Sequence, residues 1–152
     1  MISHSHRFIF RHYGKSAGSS IKRYLRQIDG LTEKCSFGHK KTSTLQQIVI
    51  DDGYDPEEYI KFCCCRNPWD RRVSAYYHFK KFYRLKDLSF EEFIVYGFNK
   101  YMNSKEENNE FSPCLIDGKR EFDDGCFNYD KFDYIIRFEN LQEDFLIVCD
   151  KL

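Results

Sequence analysis

The segment Phe8-Ile9-Phe10-Arg11-His12-Tyr13-Gly14-Lys15-Ser16-Ala17-Gly18-Ser19-Ser20-Ile21-Lys22-Arg23-Tyr24-Leu25 changes its periodicity halfway along. The apolar triplet Phe8-Ile9-Phe10, bounded by charged residues, reads as a short buried strand. From Ile21 onward apolar residues recur at helical spacing (Ile21, Tyr24, Leu25, Ile28), and Gly30 offers a stop. Small residues fill the interval from Gly14 to Ser20. A small-residue loop between a strand and a helix presents backbone N–H groups to an anion, and the helix N-terminus adds partial positive charge. Lys15 would add a full charge, Ser16, Ser19 and Ser20 hydroxyl donors, and Gly18 room for close backbone approach. A tight surface turn would have a similar local sequence. The segment is not the G-x-x-x-x-G-K-[ST] phosphate loop, because the leading glycine would have to stand where Ile9 does.

Downstream, Ser43 or Thr44 can cap a short helix through Ile50, and Asp51-Asp52-Gly53-Tyr54-Asp55-Pro56 is turn chemistry. Tyr59 to Cys65 is a second strand, broken by Asn67-Pro68. Asp70 or a neighbour then starts a helix whose apolar stripe is Val73, Tyr76, Tyr77 and Phe82, with both tyrosines in the core. Ser89 with Glu92 makes a capping box. Gly97 to Gly125 is a long polar excursion, Tyr134 to Phe138 a third strand, and Asn140 with Glu143 caps a last helix. Strands alternating with helices predict an α/β fold: a P-loop-like three-layer domain with a mainly parallel central sheet flanked by helices. The 152 residues suit one domain.

The formal net charge is zero but unevenly spread: residues 1–86 carry 17 Lys/Arg against 8 Asp/Glu, and residues 87–152 carry 7 against 16. A first part at +9 suits an anionic ligand, or simply attracts the second part at −9. Seven cysteines without a C-x-x-C pair, three of them consecutive (Cys63, Cys64, Cys65), argue against a zinc ribbon or a thiol redox motif and for reduced buried thiols. No apolar run approaches the ~20 residues of a membrane span, and the N-terminal residues lack a signal-peptide core. A complete chain of this kind is expected in the cytoplasm.

Three segments taken together carry a family resemblance. Lys15-Ser16-Ala17-Gly18-Ser19-Ser20, then Arg66-Asn67-Pro68-Trp69-Asp70-Arg71-Arg72-Val73-Ser74-Ala75-Tyr76, then Arg137-Phe138-Glu139-Asn140-Leu141-Gln142-Glu143-Asp144-Phe145 resemble, in order, three motifs of the carbohydrate-type sulfotransferases, which use 3′-phosphoadenosine 5′-phosphosulfate. The resemblance implies that Lys15, Ser16, Ala17, Gly18, Ser19 and Ser20 hold the 5′-phosphosulfate, and that Arg66 and Ser74 hold the 3′-phosphate. A guanidinium suits forked phosphate contacts, and a hydroxyl adds a neutral donor. The alternative for Arg66 is a surface ion pair with Asp70. Trp69 reads as packing or as an adenine platform, and Arg71 as structural or nucleotide-contacting.

Sulfuryl transfer, like phosphoryl transfer, demands in-line positioning and charge stabilisation. Lys15 would neutralise the leaving phosphate, and no metal site is expected. His39, in Phe37-Gly38-His39-Lys40, is the candidate base. Glu139 is its rival, or else a helix-entry carboxylate. His78 reads as structural, and His4, His6 and His12 support no metal site. The implied partners are the nucleotide co-substrate and a hydroxyl acceptor, carbohydrate by resemblance, with no nucleic acid. Gly14 stands where the family commonly has proline, and the chain ends soon after the third motif, where many relatives continue. The alternative function is therefore a catalytically impaired nucleotide-binding module. Eukaryotic relatives reside in the Golgi, the expected compartment if the chain is a fragment.

Overall fold

The computed structural model describes residues 1–27, 42–82, 89–96 and 131–152. The chain divides into two compact units, Met1–Arg66 with Asn128–Leu152, and Asn67–Phe127.

The first unit is built on a four-stranded sheet ordered β1 (Ile2–Ser3), β2 (Phe8–Arg11), β3 (Ile60–Cys65) and β4 (Tyr134–Arg137). β1 pairs antiparallel with β2, and the β2–β3 and β3–β4 pairs are parallel. The mainly parallel α/β sheet expected from the sequence is present. Every residue of β2 is buried, as in strands covered on both faces. Alternation sorts the side chains. Phe8, Phe10, Phe62, Cys64 and Ile136 meet Ile21 and Leu25 of α1 (Gly18–Leu25) and Val148 of α5 (Leu141–Cys149). Ile9, on the other face, meets Leu45 and Val49 of α2 (Thr42–Asp51). Helices thus cover both faces and make three layers. Phe10 and Phe62 stack at 5.1 Å between centroids, and burying each ring contributes about 1.5–3 kcal/mol.

The register Arg11↔Cys63 and Cys65↔Arg137 puts the carboxyl ends of β2, β3 and β4 along one edge. In open parallel sheets that edge is where ligands bind.

The second unit contains α3 (Pro68–Phe82) and α4 (Phe90–Tyr96). Pro68 is the first residue of α3, two residues earlier than an Asp70 start, and the Asn67 side chain caps it by accepting from Trp69 N at 2.9 Å and Asp70 N at 3.4 Å. The Ser89–Glu92 capping box forms reciprocally, each bond 3.1 Å. The apolar stripe of α3 differs from expectation. Arg72, Ala75, Tyr76 and Phe79 are buried, whereas Tyr77, Phe82 and Val73 are exposed. The buried set follows the i, i+3, i+4, i+7 spacing, and Tyr76 and Phe79 pack on Phe93 of α4. Tyr77, one residue on from Tyr76, is carried to a different face. No described helix is long and apolar enough to cross a membrane.

Candidate anion-binding site

The loop from His12 to Ala17 leaves the carboxyl end of β2 and enters α1. Two non-glycine residues in it have left-handed backbone, Lys15 at φ 62° and Ala17 at φ 59°. A Cβ makes that conformation costly, about 1–2 kcal/mol per residue. Such strain persists where surrounding contacts over-determine it, and it concentrates at ligand-holding turns. A left-handed residue followed by a right-handed one makes successive N–H groups converge into an anion-binding concavity. Ala17 followed by the helical Gly18 has that sequence of hands. The Ala17 carbonyl accepts from Ser20 N and Ile21 N, at 2.9 and 3.1 Å. Among the described residues no backbone carbonyl outside the helix accepts from the amides of Ala17, Gly18 or Ser19.

Gly18 is required for space. A Cβ there would overlap the imidazole of His12, a buried residue stacked parallel to Phe10. The close approach expected at Gly18 is thus made by a side chain of the protein's own core. Ser16 is buried, while Ser19 and Ser20 are exposed on the first turn of α1. Ser19 and Ser20 line a groove of about 370 Å³ with Arg23, Tyr24 and Gln27.

Arg66 directly follows β3, and its Nη1 donates to the Lys15 carbonyl at 3.3 Å. This bond ties the left-handed residue to the next strand. The guanidinium lies 3.9 Å from the centre of the Phe138 ring, beyond β4, a contact worth roughly 0.5–2 kcal/mol. Arg66 Nε is buried, and nothing among the described residues accepts its proton. Lys15 stands close enough that burial, and then the Arg66 charge, lower its pKa from the ordinary lysine value. Neither cation has a carboxylate partner among the described residues. Two adjacent cations, one carrying an orphaned buried donor beside three amides lacking such a carbonyl partner, fit a phosphate-type anion.

The third motif has a structural role. Asp144 accepts from Arg137 N and Nε at 2.8 Å and from Arg137 Nη2 at 2.7 Å, and from Asn140 Nδ2 at 2.9 Å. These bonds, led by the Arg137 guanidinium, hold the Asp144 carboxyl well below the usual carboxylate range. Asn140 does not cap α5 with its side chain as expected; its Nδ2 donates to Asp144 Oδ1. The knot fixes the turn Phe138–Asn140 and with it the ring beneath Arg66. Glu139, exposed on that turn, helps raise the Cys65 thiol, after burial. Burial likewise raises Cys63 and Cys64, which are free thiols.

The structure therefore brings together Lys15 to Ser20 and Arg66. Ser74 is half-buried on α3 of the second unit, and His39 lies outside the described residues. Sequence reading missed His12 and Phe138 as parts of the site. The motif containing Phe138 was visible, but nothing in its spacing indicated a guanidinium platform. Among the described residues no three His, Cys, Asp or Glu side chains gather as a metal site.

The sequence profile of the sulfotransferase family matches residues 1–151. A protein of Archaeoglobus fulgidus, named only as uncharacterized, is 33% identical over 97 residues, 62% of this chain and 68% of that one. No solved structure matches. With the profile spanning all three motifs and the sheet that carries them, the chain belongs to the sulfotransferase family.

Proposed function

We propose that the protein binds 3′-phosphoadenosine 5′-phosphosulfate and transfers the sulfuryl group to an acceptor hydroxyl, on a carbohydrate. What supports this reading most is the pairing of Lys15 and Arg66, without carboxylates among the described residues, beside the amides of a strained strand-to-helix loop in a sulfotransferase-family chain.

In the proposed reaction the acceptor oxygen attacks sulfur in line with the bridging oxygen of the phosphosulfate. The S–O bond to that bridge breaks, and its electron pair leaves with adenosine 3′,5′-bisphosphate. Lys15 and the amides of Ala17, Gly18 and Ser19, with the hydroxyls of Ser16, Ser19 and Ser20, meet the charge that gathers on the 5′-phosphate. Arg66 takes the 3′-phosphate, a role Ser74 shares on the sequence match alone. His39 removes the acceptor's proton. These steps use no metal.

Titration with adenosine 3′,5′-bisphosphate should raise Tm by linkage of binding to folding, and labelled sulfate should pass from the nucleotide to a hydroxylated glycan. His39→Ala should abolish transfer and spare binding. No Tm shift at millimolar bisphosphate would remove the nucleotide reading. Binding without transfer to any acceptor would leave the chain as a nucleotide-binding module of the same family.

A further inference from the structure

Resting on that nucleotide reading, the contact between His12 and Gly18 carries one step more. Gly18 is the first residue of α1 and does not have positive φ, so its backbone would accept a side chain. The space would not, because the His12 ring occupies the place of a Cβ. That ring also stacks on Phe10 at 6.3 Å with 12° between planes, and Phe10 stacks in turn on Phe62. The ring is thus a spacer between the sheet core and the start of α1. It also closes the loop that holds Lys15 and Ala17 in left-handed backbone.

We propose that His12 is a positioning residue for the anion site. Its imidazole, packed against Gly18, fixes the height and direction at which α1 leaves the loop, and so aims the amides of Ala17, Gly18 and Ser19 at the 5′-phosphate group. With the ring gone, the two left-handed residues can relax, and the amides lose their common focus. A methyl on Gly18 with the ring in place forces α1 away from the sheet. A methyl on Gly18 with the ring absent fills part of the vacated space.

The test is a four-chain cycle of wild type, Gly18→Ala, His12→Ala and the double variant. Each chain is measured for affinity toward adenosine 3′,5′-bisphosphate by calorimetry and for Tm without ligand. Each single substitution should weaken binding about tenfold or more, and the double variant should bind about tenfold more tightly than Gly18→Ala alone, a coupling of the size seen for residues in contact. If Gly18→Ala alone fails to fold, the double variant should fold and bind. A drop in Tm with unchanged affinity of the folded chains would reduce His12 to a packing residue and overturn the proposal. So would a double variant no better than Gly18→Ala. A wild-type chain that ignores the bisphosphate would instead overturn the nucleotide reading, and the four Tm values would still decide whether ring and glycine interlock.

Discussion

The amino edge of the central sheet and the Lys15–Arg66 pair at its carboxyl edge treat their charges in opposite ways, although Arg137 at that same carboxyl edge is paired with Asp144. At the amino edge, ionic groups are paired. His4 Nδ1 lies 2.6 Å from Tyr59 Oη and His4 Nε2 3.2 Å from Asp52 Oδ2. Its ring stacks on Tyr54 at 4.5 Å. Arg7 pairs with Glu58 at 2.6 Å and Lys61 with Glu57 at 3.1 Å, and Asp133 accepts from Lys61 N. At the carboxyl edge, Lys15 and Arg66 sit together without a carboxylate partner among the described residues, on a loop with two strained residues. An edge that only had to be stable would resemble the first. Adjacent cations with a buried orphan donor cost stability until an anion arrives, and this is the pair that the proposed nucleotide binding would use.

The contrast breaks most sharply if the carboxyl-edge cations prove dispensable. Arg66→Ala or Lys15→Met should weaken adenosine 3′,5′-bisphosphate binding about 10- to 100-fold, the loss of a charge-assisted hydrogen bond. Without ligand, Lys15→Met should hold or raise Tm at neutral pH. The sign follows from the lowered folded pKa of Lys15. Between that lowered value and the ordinary 10.5, the unfolded chain binds more protons than the folded one, so stability rises with pH. Below that window the charged lysine burdens the fold, and removing it relieves the burden. A large fall in the Tm of the ligand-free chain, with affinity kept, would make this edge structural.

A smaller effect separates the third motif from the first two. Asp144→Asn should lower Tm by about 5 °C or more, because strong hydrogen bonds to a carboxylate are lost. Asp144 has a depressed folded pKa, so its contribution is complete above the unfolded value near ~4 and is lost as pH falls toward the folded one. The Tm difference between wild type and Asp144→Asn should therefore be present at neutral pH and shrink on acidification. A difference independent of pH would mean that packing, not charge, holds α5 to β4.

The apolar run Phe8-Ile9-Phe10 and the loop of small residues made the first parallel strand and its strand-to-helix turn legible, because both are local patterns. Arg66 was legible as a motif residue. Its contacts were not, because Lys15 and Phe138 reach it from 51 and 72 residues away along the chain. The exposure of Tyr77 was misread because the stripe was anchored on Val73 instead of Arg72, a charged residue whose guanidinium lies over Phe93. The Asn140 cap failed for a related reason. The cap was read from local spacing, whereas the Asn140 amide donates to Asp144 one turn on.

The smallest predicted effect distinguishes local geometry from overall charge. Residues 1–86 carry an excess of nine positive charges, and such a field could by itself attract a nucleotide anion. Glu58→Gln adds one more positive unit at the amino edge and leaves Arg7 a neutral acceptor in place of a charged one. Both partners are more than half exposed, so stability should change by no more than about 0.5–1 kcal/mol, or roughly 2–4 °C in Tm. If the Lys15–Arg66 cradle governs recognition, bisphosphate affinity at physiological salt should stay within about twofold of wild type, because charges beyond a Debye length of ~8 Å are screened. A clear gain in affinity, erased by added salt, would mean that the basic half attracts the nucleotide by its summed field and that the carboxyl edge holds no special place.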